Sequence, residues 1–284
     1  MIRKIVIPVR GDGKGDNVFA HAAALARRFK AHVVVTHCRP RGEDLMPFGV
    51  SLPASMKKLL LQQTSEIASQ VEDGLKVELT KLAGELGITM VDRPDGRTAS
   101  ASWVEEQGRQ VDVIKHHGRL ADLICVAKPD VDRNLGANTL KTALFHTGTP
   151  VMMCPKAERP PETLGDRITI GWNGSIESVR AVSLTMGIIE AASEVTILSS
   201  GNELHGATAE DLQTYLGDRG IASRVERFVA RKKIGQELLD RSHAAGADTL
   251  IMGAYSDSHE RETIFGGNTQ NVVDRSTMPV IFVH

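Results

Sequence analysis

The sequence has no excess of charge of either sign, few cysteines and no long apolar run. Its 34 Lys and Arg residues balance 35 Asp and Glu residues, which gives a formal net charge of −1, and no cluster of basic residues stands out. Nucleic-acid-binding proteins and proteins that bind anionic membranes usually carry such a cluster, so we expect neither partner. No segment is long and apolar enough to cross a bilayer, and the apolar core of the N-terminus is too short for a signal peptide. We therefore expect a cytoplasmic protein.

The three cysteines predict neither disulfides nor a metal site. Cys38, Cys125 and Cys154 lie in or at the end of apolar runs typical of strands, and their spacing matches no metal-binding motif. An odd number of such residues favours buried, reduced thiols. His116 and His117 stand near the end of a predicted helix, where we interpret them as solvent-exposed capping residues rather than metal ligands.

Common nucleotide and catalytic motifs are also absent. There is no Gly-x4-Gly-Lys-Ser/Thr sequence, which excludes an ordinary P-loop, and the glycines from Gly11 to Gly15 do not have dinucleotide-binding spacing. Asp257, Glu260 and Glu262 are interpreted as an exposed acidic surface, because no nucleophile or base accompanies them. We therefore predict that the protein is not an enzyme.

Strand-like and helix-like segments alternate along the chain, which predicts a parallel sheet built from βαβ units. The predicted strands are Lys4 to Val9, His32 to Cys38, Ile88 to Asp92, Leu123 to Ala127, Val151 to Cys154, Ile168 to Trp172, Val195 to Ser199, Ser223 to Val229, Thr249 to Met252 and Val280 to Val283. The predicted helices are Asn17 to Phe29, Ser55 to Leu86, Ala99 to His116, Asn138 to His146, Ile176 to Ala192, Thr208 to Arg219, Ile234 to Ala245 and Gln270 to Ser276. The stretch from Arg39 to Ala54 is predicted to be a loop.

The second half of the chain repeats the first. KIVIPVRGD aligns with RITIGWNGS, DLICVAKPD with DTLIMGAYS, and GANT with GGNT. A segment rich in Pro and charged residues separates the copies. We predict an N-terminal domain over residues 1–156, a linker over 157–166 and a C-terminal domain over 167–284.

The end of the second copy has the pattern of a phosphate site. Gly253 ends a predicted strand, and after a polar loop the glycines of the Gly266-Gly267-Asn268-Thr269 sequence open a helix. Glycines at these two places let backbone N–H groups approach an anion, and a helix N-terminus adds partial positive charge.

These residues resemble the nucleotide loop of the universal stress protein (UspA) family, Gly-x2-Gly-x9-Gly-(Ser/Thr). Gly253 is followed after two residues by Ser256 and after nine more by Gly266-Gly267, so Ser256 replaces the second glycine and Gly267 replaces the hydroxyl residue. The resemblance covers nearly the whole chain. It implies two Rossmann-like, doubly wound α/β domains in tandem, each with a five-stranded parallel sheet of strand order 3-2-1-4-5. It also implies that the last strands of the two domains pair, which would give an internal pseudo-dimer.

The same resemblance implies a nucleotide site in the second domain that takes ATP or another adenine nucleotide, with Mg²⁺ accompanying a triphosphate. Asn173 stands where the family has an aspartate that touches the nucleoside. Trp172 either walls the adenine or fills the core, and Ser199 ends the strand beside the base. The implied site residues are Trp172, Asn173, Gly174, Ser199, Gly253, Ser256, Gly266, Gly267, Asn268 and Thr269.

The first domain departs further from the family pattern. Arg10 replaces the aspartate, Ala127 and Asp130 replace the loop glycines, and the loop to Gly136 is four residues shorter. An aspartate that faces a phosphate is unfavourable without a bridging cation, so we predict a degenerate site there.

Three functions remain open at this point. The first is an adenine-nucleotide-binding stress-response or signalling module, and the second is a scaffold of the same fold that acts through protein–protein contacts without nucleotide. The third is a slow ATP hydrolase. A homodimer is also a reasonable expectation, because the predicted sheet has an exposed edge strand.

Overall fold

In the described part of the chain, eleven strands form one continuous sheet at the centre of the protein. The computed structural model describes residues 1–9, 14–39, 56, 73–130, 135–159, 161–201, 206–254 and 267–284. The strands are β1 (Lys4–Val9), β2 (His32–Arg39), β3 (Thr89–Met90), β4 (Ser100–Gln107), β5 (Leu123–Ala127), β6 (Val151–Cys154), β7 (Arg167–Trp172), β8 (Glu194–Ser199), β9 (Ser223–Arg227), β10 (Thr249–Gly253) and β11 (Val280–Val283).

The helices of the described residues cover both faces of this sheet. They are α1 (Gly15–Phe29), α2 (residues 73–85), α3 (Gln110–Gly118), α4 (Ala137–Thr147), α5 (Ile176–Leu184), α6 (Met186–Ile189), α7 (Ala209–Gly217), α8 (Ile234–Ala244) and α9 (Gly267–Arg275). Among them, no helix has the length and apolar character needed to span a membrane.

The strand order is that of two doubly wound units joined edge to edge. The order across the sheet is β3-β4-β2-β1-β5-β6-β11-β10-β7-β8-β9. Within each half the strands are parallel and follow the predicted order 3-2-1-4-5, with β3 added outside the first unit. Strands β6 and β11 pair antiparallel, with Ile281 opposite Met152 and Phe282 opposite Val151. The predicted fold class and the predicted pairing of these two strands are therefore confirmed.

Two hydrophobic layers enclose the sheet. Side chains along β1 alternate between them, so that Ile5 and Ile7 belong to one buried cluster and Val6 to the other. Helices α1, α2, α5 and α7 contribute to the first cluster, and α3, α4, α8 and α9 contribute to the second. Strands buried on both faces in this way account for the uninterrupted apolar runs in the sequence.

Polar contacts also tie the two halves together. Arg28 of α1 donates two hydrogen bonds to Asp166 at 3.0 and 3.1 Å, just before β7. Lys128, which follows β5, donates from Nζ to the carbonyl oxygens of Asp274 and Ser276 at 2.7 and 2.9 Å. This amino group thus caps the C-terminal end of α9, where a positive charge is favourable.

The predicted helix from Ala99 to His116 is wrong. Residues 100–107 form β4, which pairs with β2 along its whole length, and α3 begins only at Gln110. Gly108, with φ of +145°, forms the corner between them. Ser, Glu and Gln are weak strand formers, so here the pairing with β2 overrides local preference. The segment predicted as the third strand, Ile88 to Asp92, contributes only the two-residue β3 outside β4.

The predicted helix from Ile176 to Ala192 is broken into α5 and α6. The hydroxyl of Thr185 donates to the Ala181 carbonyl at 2.5 Å, a side-chain bond that competes with regular helix geometry. Gly187 packs on the start of the chain, because a Cβ at this position would lie 2.7 Å from the Met1 nitrogen.

Other predicted elements are present with ends that differ by a few residues. The predicted loop up to Ala54 and residues 57–72 of the predicted long helix lie outside the described residues, whereas residues 73–85 are helical. The division into residues 1–156, 157–166 and 167–284 stays a prediction.

Candidate functional site

The topology of each half creates a crevice at the carboxyl ends of the strands. In the second half, β7 lies between β8 and β10, and the helices that follow β7 and β10 lie on opposite faces. This switch point is where open α/β sheets bind ligands. A cavity of about 180 Å³ opens here. Its lining residues are Gly171, Trp172, Asn173, Ser175, Glu177, Leu198, Ser200, Phe228, Ile234, Leu238, Met252, Gly253, Asn268 and Thr269.

One side of this cavity is apolar. Leu198, Phe228, Leu238 and Met252 are buried and Ile234 is half-buried, and all five contribute to the same hydrophobic cluster beneath the crevice. An apolar wall with a few polar groups opposite is typical of small-molecule sites.

The turn after β7 provides the first polar edge. The Asn173 side chain accepts a hydrogen bond from the Ser175 backbone N–H at 3.2 Å, and Gly174 has φ of +72°. Ser175 is the N-cap of α5, since its hydroxyl accepts from the Ser178 N–H at 3.3 Å. Two of the predicted site residues, Asn173 and Gly174, thus form this turn, and Asn173 lines the cavity.

Gly253 brings the end of β10 against the first turn of α5. A Cβ at this position would lie 2.7 Å from both the Glu177 carbonyl carbon and the Ser178 nitrogen, so any side chain would push the helix away. The glycine at the end of this strand therefore permits close approach of two backbones, which is one use of glycine at ligand sites.

The N-terminus of α9 provides the second polar edge. The helix begins at Gly267, and Asn268 and Thr269 line the cavity, with Thr269 only 6% exposed. The free N–H groups and partial positive charge of such a helix end favour an anion. Ser256 and Gly266, which the sequence places in this site, lie outside the described residues.

Two predicted site residues have structural partners of their own. Trp172 is 6% exposed, belongs to the main hydrophobic cluster and donates its indole N–H to the Ala207 carbonyl at 2.9 Å, while it still lines the cavity. Ser199 is buried, and its hydroxyl accepts from the Gly201 N–H at 3.1 Å. The neighbouring residues Leu198 and Ser200 line the cavity in its place.

Glu177 lines the cavity and is not among the site residues predicted from the sequence. Among the described residues around the cavity it carries the only formal charge, and that charge is negative. Its place in the first turn of α5 is favourable for the helix dipole. Its position two residues after the N-cap Ser175 is the feature of the sequence that could have identified it as a lining residue.

The corresponding crevice of the first half is smaller, as judged from the residues that the structure describes there. Its cavity measures about 20 Å³, which is room for about one water molecule. Lys14 and Asp130 form an ion pair of 3.3 Å there, with about a quarter of each side chain exposed. Ala127 occupies the place that Gly253 has in the second half. Arg10 lies outside the described residues.

The fold and the crevice define a doubly wound α/β protein with its candidate ligand site at the switch point of the second sheet. Residues 1–137 match the model of the universal stress protein family. Through this match the first half of the chain belongs to the universal stress protein family, as the sequence predicts.

Solved structures show the same fold along the full chain. A universal stress protein from Archaeoglobus fulgidus DSM 4304 is 17% identical, with 99% of this chain and 95% of that chain covered and a TM-score of 0.70. A putative universal stress protein from Pseudomonas aeruginosa UCBPP-PA14 is 16% identical, with 99% and 93% covered and a TM-score of 0.56. A search of curated proteins found no match.

Proposed function

We propose that the second half binds a nucleotide in the cavity between the ends of β7, β8 and β10, and that the protein is a cytoplasmic stress-response module. The observation that carries this proposal is the pairing of an apolar wall with a helix N-terminus across one cavity. The wall around Phe228 and Leu238 suits a planar base, and the first turn of α9 suits a phosphate. Adenine is the base that the family resemblance implies.

The lining residues support binding rather than hydrolysis. Efficient hydrolysis needs a base or a pair of carboxylates that positions the attacking water. Glu177 is the only carboxylate among the described lining residues, and no histidine or lysine lies beside it there.

The position of Glu177 also suggests how a triphosphate and Mg²⁺ would bind together. A carboxylate and a phosphate repel each other in a partly closed cavity, and a divalent cation between them offsets this repulsion. Carboxylate and phosphate oxygens are ligands that Mg²⁺ prefers. A nucleoside or monophosphate would avoid the repulsion without a metal.

A scaffold without nucleotide is the second candidate, and specific residues favour it. Glu177 gives the cavity a negative charge, and Gly267 lacks the hydroxyl that the family has at the start of α9. In this alternative the fold serves protein–protein contacts alone.

Calorimetric titration of the full chain with ATP, ADP, AMP and adenosine tests the proposal. We expect one site per chain with a dissociation constant below about 1 mM, which corresponds to about 4 kcal/mol of binding free energy. Thr269→Ala should weaken phosphate binding by about tenfold, because a hydrogen bond to a charged group contributes about 1.5–3 kcal/mol. Thr139→Ala is the matched control, since Thr139 is the equivalent residue of the first half.

The two candidates give opposite results in these titrations. Absence of binding by all four compounds would overturn the nucleotide proposal. In that case Glu177→Gln tests the scaffold alternative. A gain of ATP affinity when the carboxylate is removed would mean that the negative charge of Glu177 prevents nucleotide binding in the wild type. Equal weakening by Thr139→Ala and Thr269→Ala would place the nucleotide elsewhere and would also contradict the proposal.

A further inference from the structure

We propose that Glu106, His116 and His117 of the first half form a binding site for a divalent transition-metal ion, with Zn²⁺ as the best match. Each of the three offers one ligand atom, and these atoms all lie within 4.8 Å of one another. Two imidazoles and one carboxylate form a common ligand set for Zn²⁺. This site is independent of the proposed nucleotide cavity.

The corner between β4 and α3 brings the three residues together. Glu106 is the penultimate residue of β4, and the histidines lie in the last turn of α3, which packs against β1, β2 and α4. His117 Nε2 is 2.6 Å from Glu106 Oε1, and His116 Nδ1 is 3.1 Å from the same oxygen. The sequence alone does not indicate this third ligand, because its pattern predicts a helix over Glu106.

Neighbouring residues of a helix point about 100° apart, so two adjacent histidines rarely meet at one point. Here they converge because His116 uses its near nitrogen, Nδ1, and His117 uses its far nitrogen, Nε2. Their ring centroids are 4.7 Å apart. The two histidines can therefore reach the same carboxylate although their Cα atoms lie at different positions around the helix.

The exposure of the three side chains fits a site with one open position. His117 is 14% exposed and Glu106 is 31% exposed, whereas His116 is 70% exposed. The inner two ligands are held by packing, and the outer side faces water, which can supply a fourth ligand.

A bound ion requires only a small adjustment of these side chains. Zn²⁺ bonds of about 2.0–2.2 Å in a tetrahedron place neighbouring ligand atoms about 3.3 Å apart. The observed N–O separations of 2.6 and 3.1 Å are those of hydrogen bonds and need to widen by less than 1 Å, while the two ligand nitrogens lie within 4.8 Å of each other. Rotation of the exposed His116 ring and the Glu106 carboxylate can provide this.

The fold itself does not require the cluster. By the register of the two sheets, Phe228 is the second-half residue equivalent to Glu106, and His243 is equivalent to His117. His243 Nε2 hydrogen bonds to the Thr277 hydroxyl at 3.1 Å. The second half thus keeps one histidine at the helix end without the carboxylate or the second imidazole.

Titration of the tag-free full chain with Zn²⁺, and with Co²⁺ as a spectroscopic probe, tests this site. We expect one ion per chain and visible absorption of four-coordinate Co²⁺. Loss of an outer-shell partner typically weakens a metal about 10–100-fold, so removal of a direct ligand by Glu106→Gln or His116→Ala should cost at least about 100-fold. His243→Ala is the matched control and should leave the affinity unchanged.

His116→Ala removes an exposed side chain, so a loss of metal in this variant reports on ligation rather than unfolding, which circular dichroism verifies. Zn²⁺ binding of equal strength in the wild type and both variants would overturn the proposal, as would absence of binding to the wild type. A loss with His243→Ala as large as that with Glu106→Gln would also overturn it.

Discussion

The two halves share one fold but differ in the crevice at the carboxyl ends of their strands. The cavity of the second half is about 180 Å³, and that of the first half is about 20 Å³. Both sheets have the same strand order and the same two buried layers. The crevice can therefore be lost without loss of the fold.

Local residues at the strand ends produce this difference. Where the second half has Gly253 against the start of α5, the first half has Ala127, and an ion pair between Lys14 and Asp130 lies beside it. Gly253 and Ala127 are the last residues of their strands, and Lys14 and Asp130 lie beyond the strand ends. Changes there alter ligand space while the buried strands stay as they are.

The largest expected effect concerns the seam that the halves have in common. Phe282 is fully buried in β11, opposite Val151 of β6. Phe282→Ala should lower the free energy of unfolding by about 3–5 kcal/mol, because it leaves a cavity in the core. Phe282→Leu is the control and should cost less than about 1.5 kcal/mol. In urea unfolding followed by circular dichroism, a smaller loss for the alanine than for the leucine variant would contradict this expectation.

Gly253→Ala tests the close approach that distinguishes the second crevice. The added methyl group meets the backbone of α5, so we expect a loss of about 1–3 kcal/mol of stability. The reverse change in the first half, Ala127→Gly, should cost at least about 0.5–1 kcal/mol, through chain entropy and the loss of a methyl group that packs against the core. Urea midpoints of both variants measure the difference. An unchanged midpoint for Gly253→Ala would mean that α5 moves away freely.

A fall in pH should lower the stability of the first half, because three of its histidines are buried. Burial lowers the pKa of His21, His32 and His37, all of which lie on α1 or β2. Below about pH 6.5 the unfolded chain then binds more protons than the folded chain, so stability falls as pH falls, by up to about 1.4 kcal/mol per pH unit for each histidine.

Urea unfolding between about pH 7 and about pH 5 measures this slope. The double variant His21→Asn and His32→Gln should flatten it, and replacement of the exposed His146 serves as the control for loss of a histidine. A slope as steep in the double variant as in the wild type would refute the assignment to these groups.

The smallest effect is expected at the ion pair in the first crevice. Lys14→Met should change the free energy of unfolding by no more than about 1 kcal/mol, because both partners are partly exposed and such pairs contribute little. The nucleotide stoichiometry should stay at one per chain, since the cavity walls remain. A second equivalent of bound nucleotide in this variant would show that the ion pair alone closes the crevice.

The sequence predicts the sheet well where strands are buried on both faces. Strands such as Lys4–Val9 and Val280–Val283 were predicted with their observed ends, because β-branched apolar runs have few alternatives. The error lies at β4, whose sequence SASWVEEQ carries little strand preference and depends on β2 for its conformation. The local sequence of β4 contains no information on its long-range pairing with β2.

The candidate site was predictable in part for the same reason. The turn at Asn173-Gly174 and the start of α9 follow predicted strands, so their meeting at one sheet edge follows from the topology. The positions of Glu177 and Ser200 in the cavity lining depend on how α5 and the end of β8 pack, which no motif records. Likewise, Glu106 joins the histidines only because a strand replaces the predicted helix.

The antiparallel seam between β6 and β11 has a consequence for how such a chain can diverge. In a dimer of two identical chains, the subunits meet by diffusion and every substitution appears in both of them. In this protein the two halves are joined in one chain, which fixes their ratio at one to one and keeps their local concentration high. One member of the pair is thus free to change its surface chemistry while it continues to shield the other's edge strand. Within the described part of the chain, the edge strands of the sheet are the two-residue β3 and the charged β9, both poor templates for joining another copy.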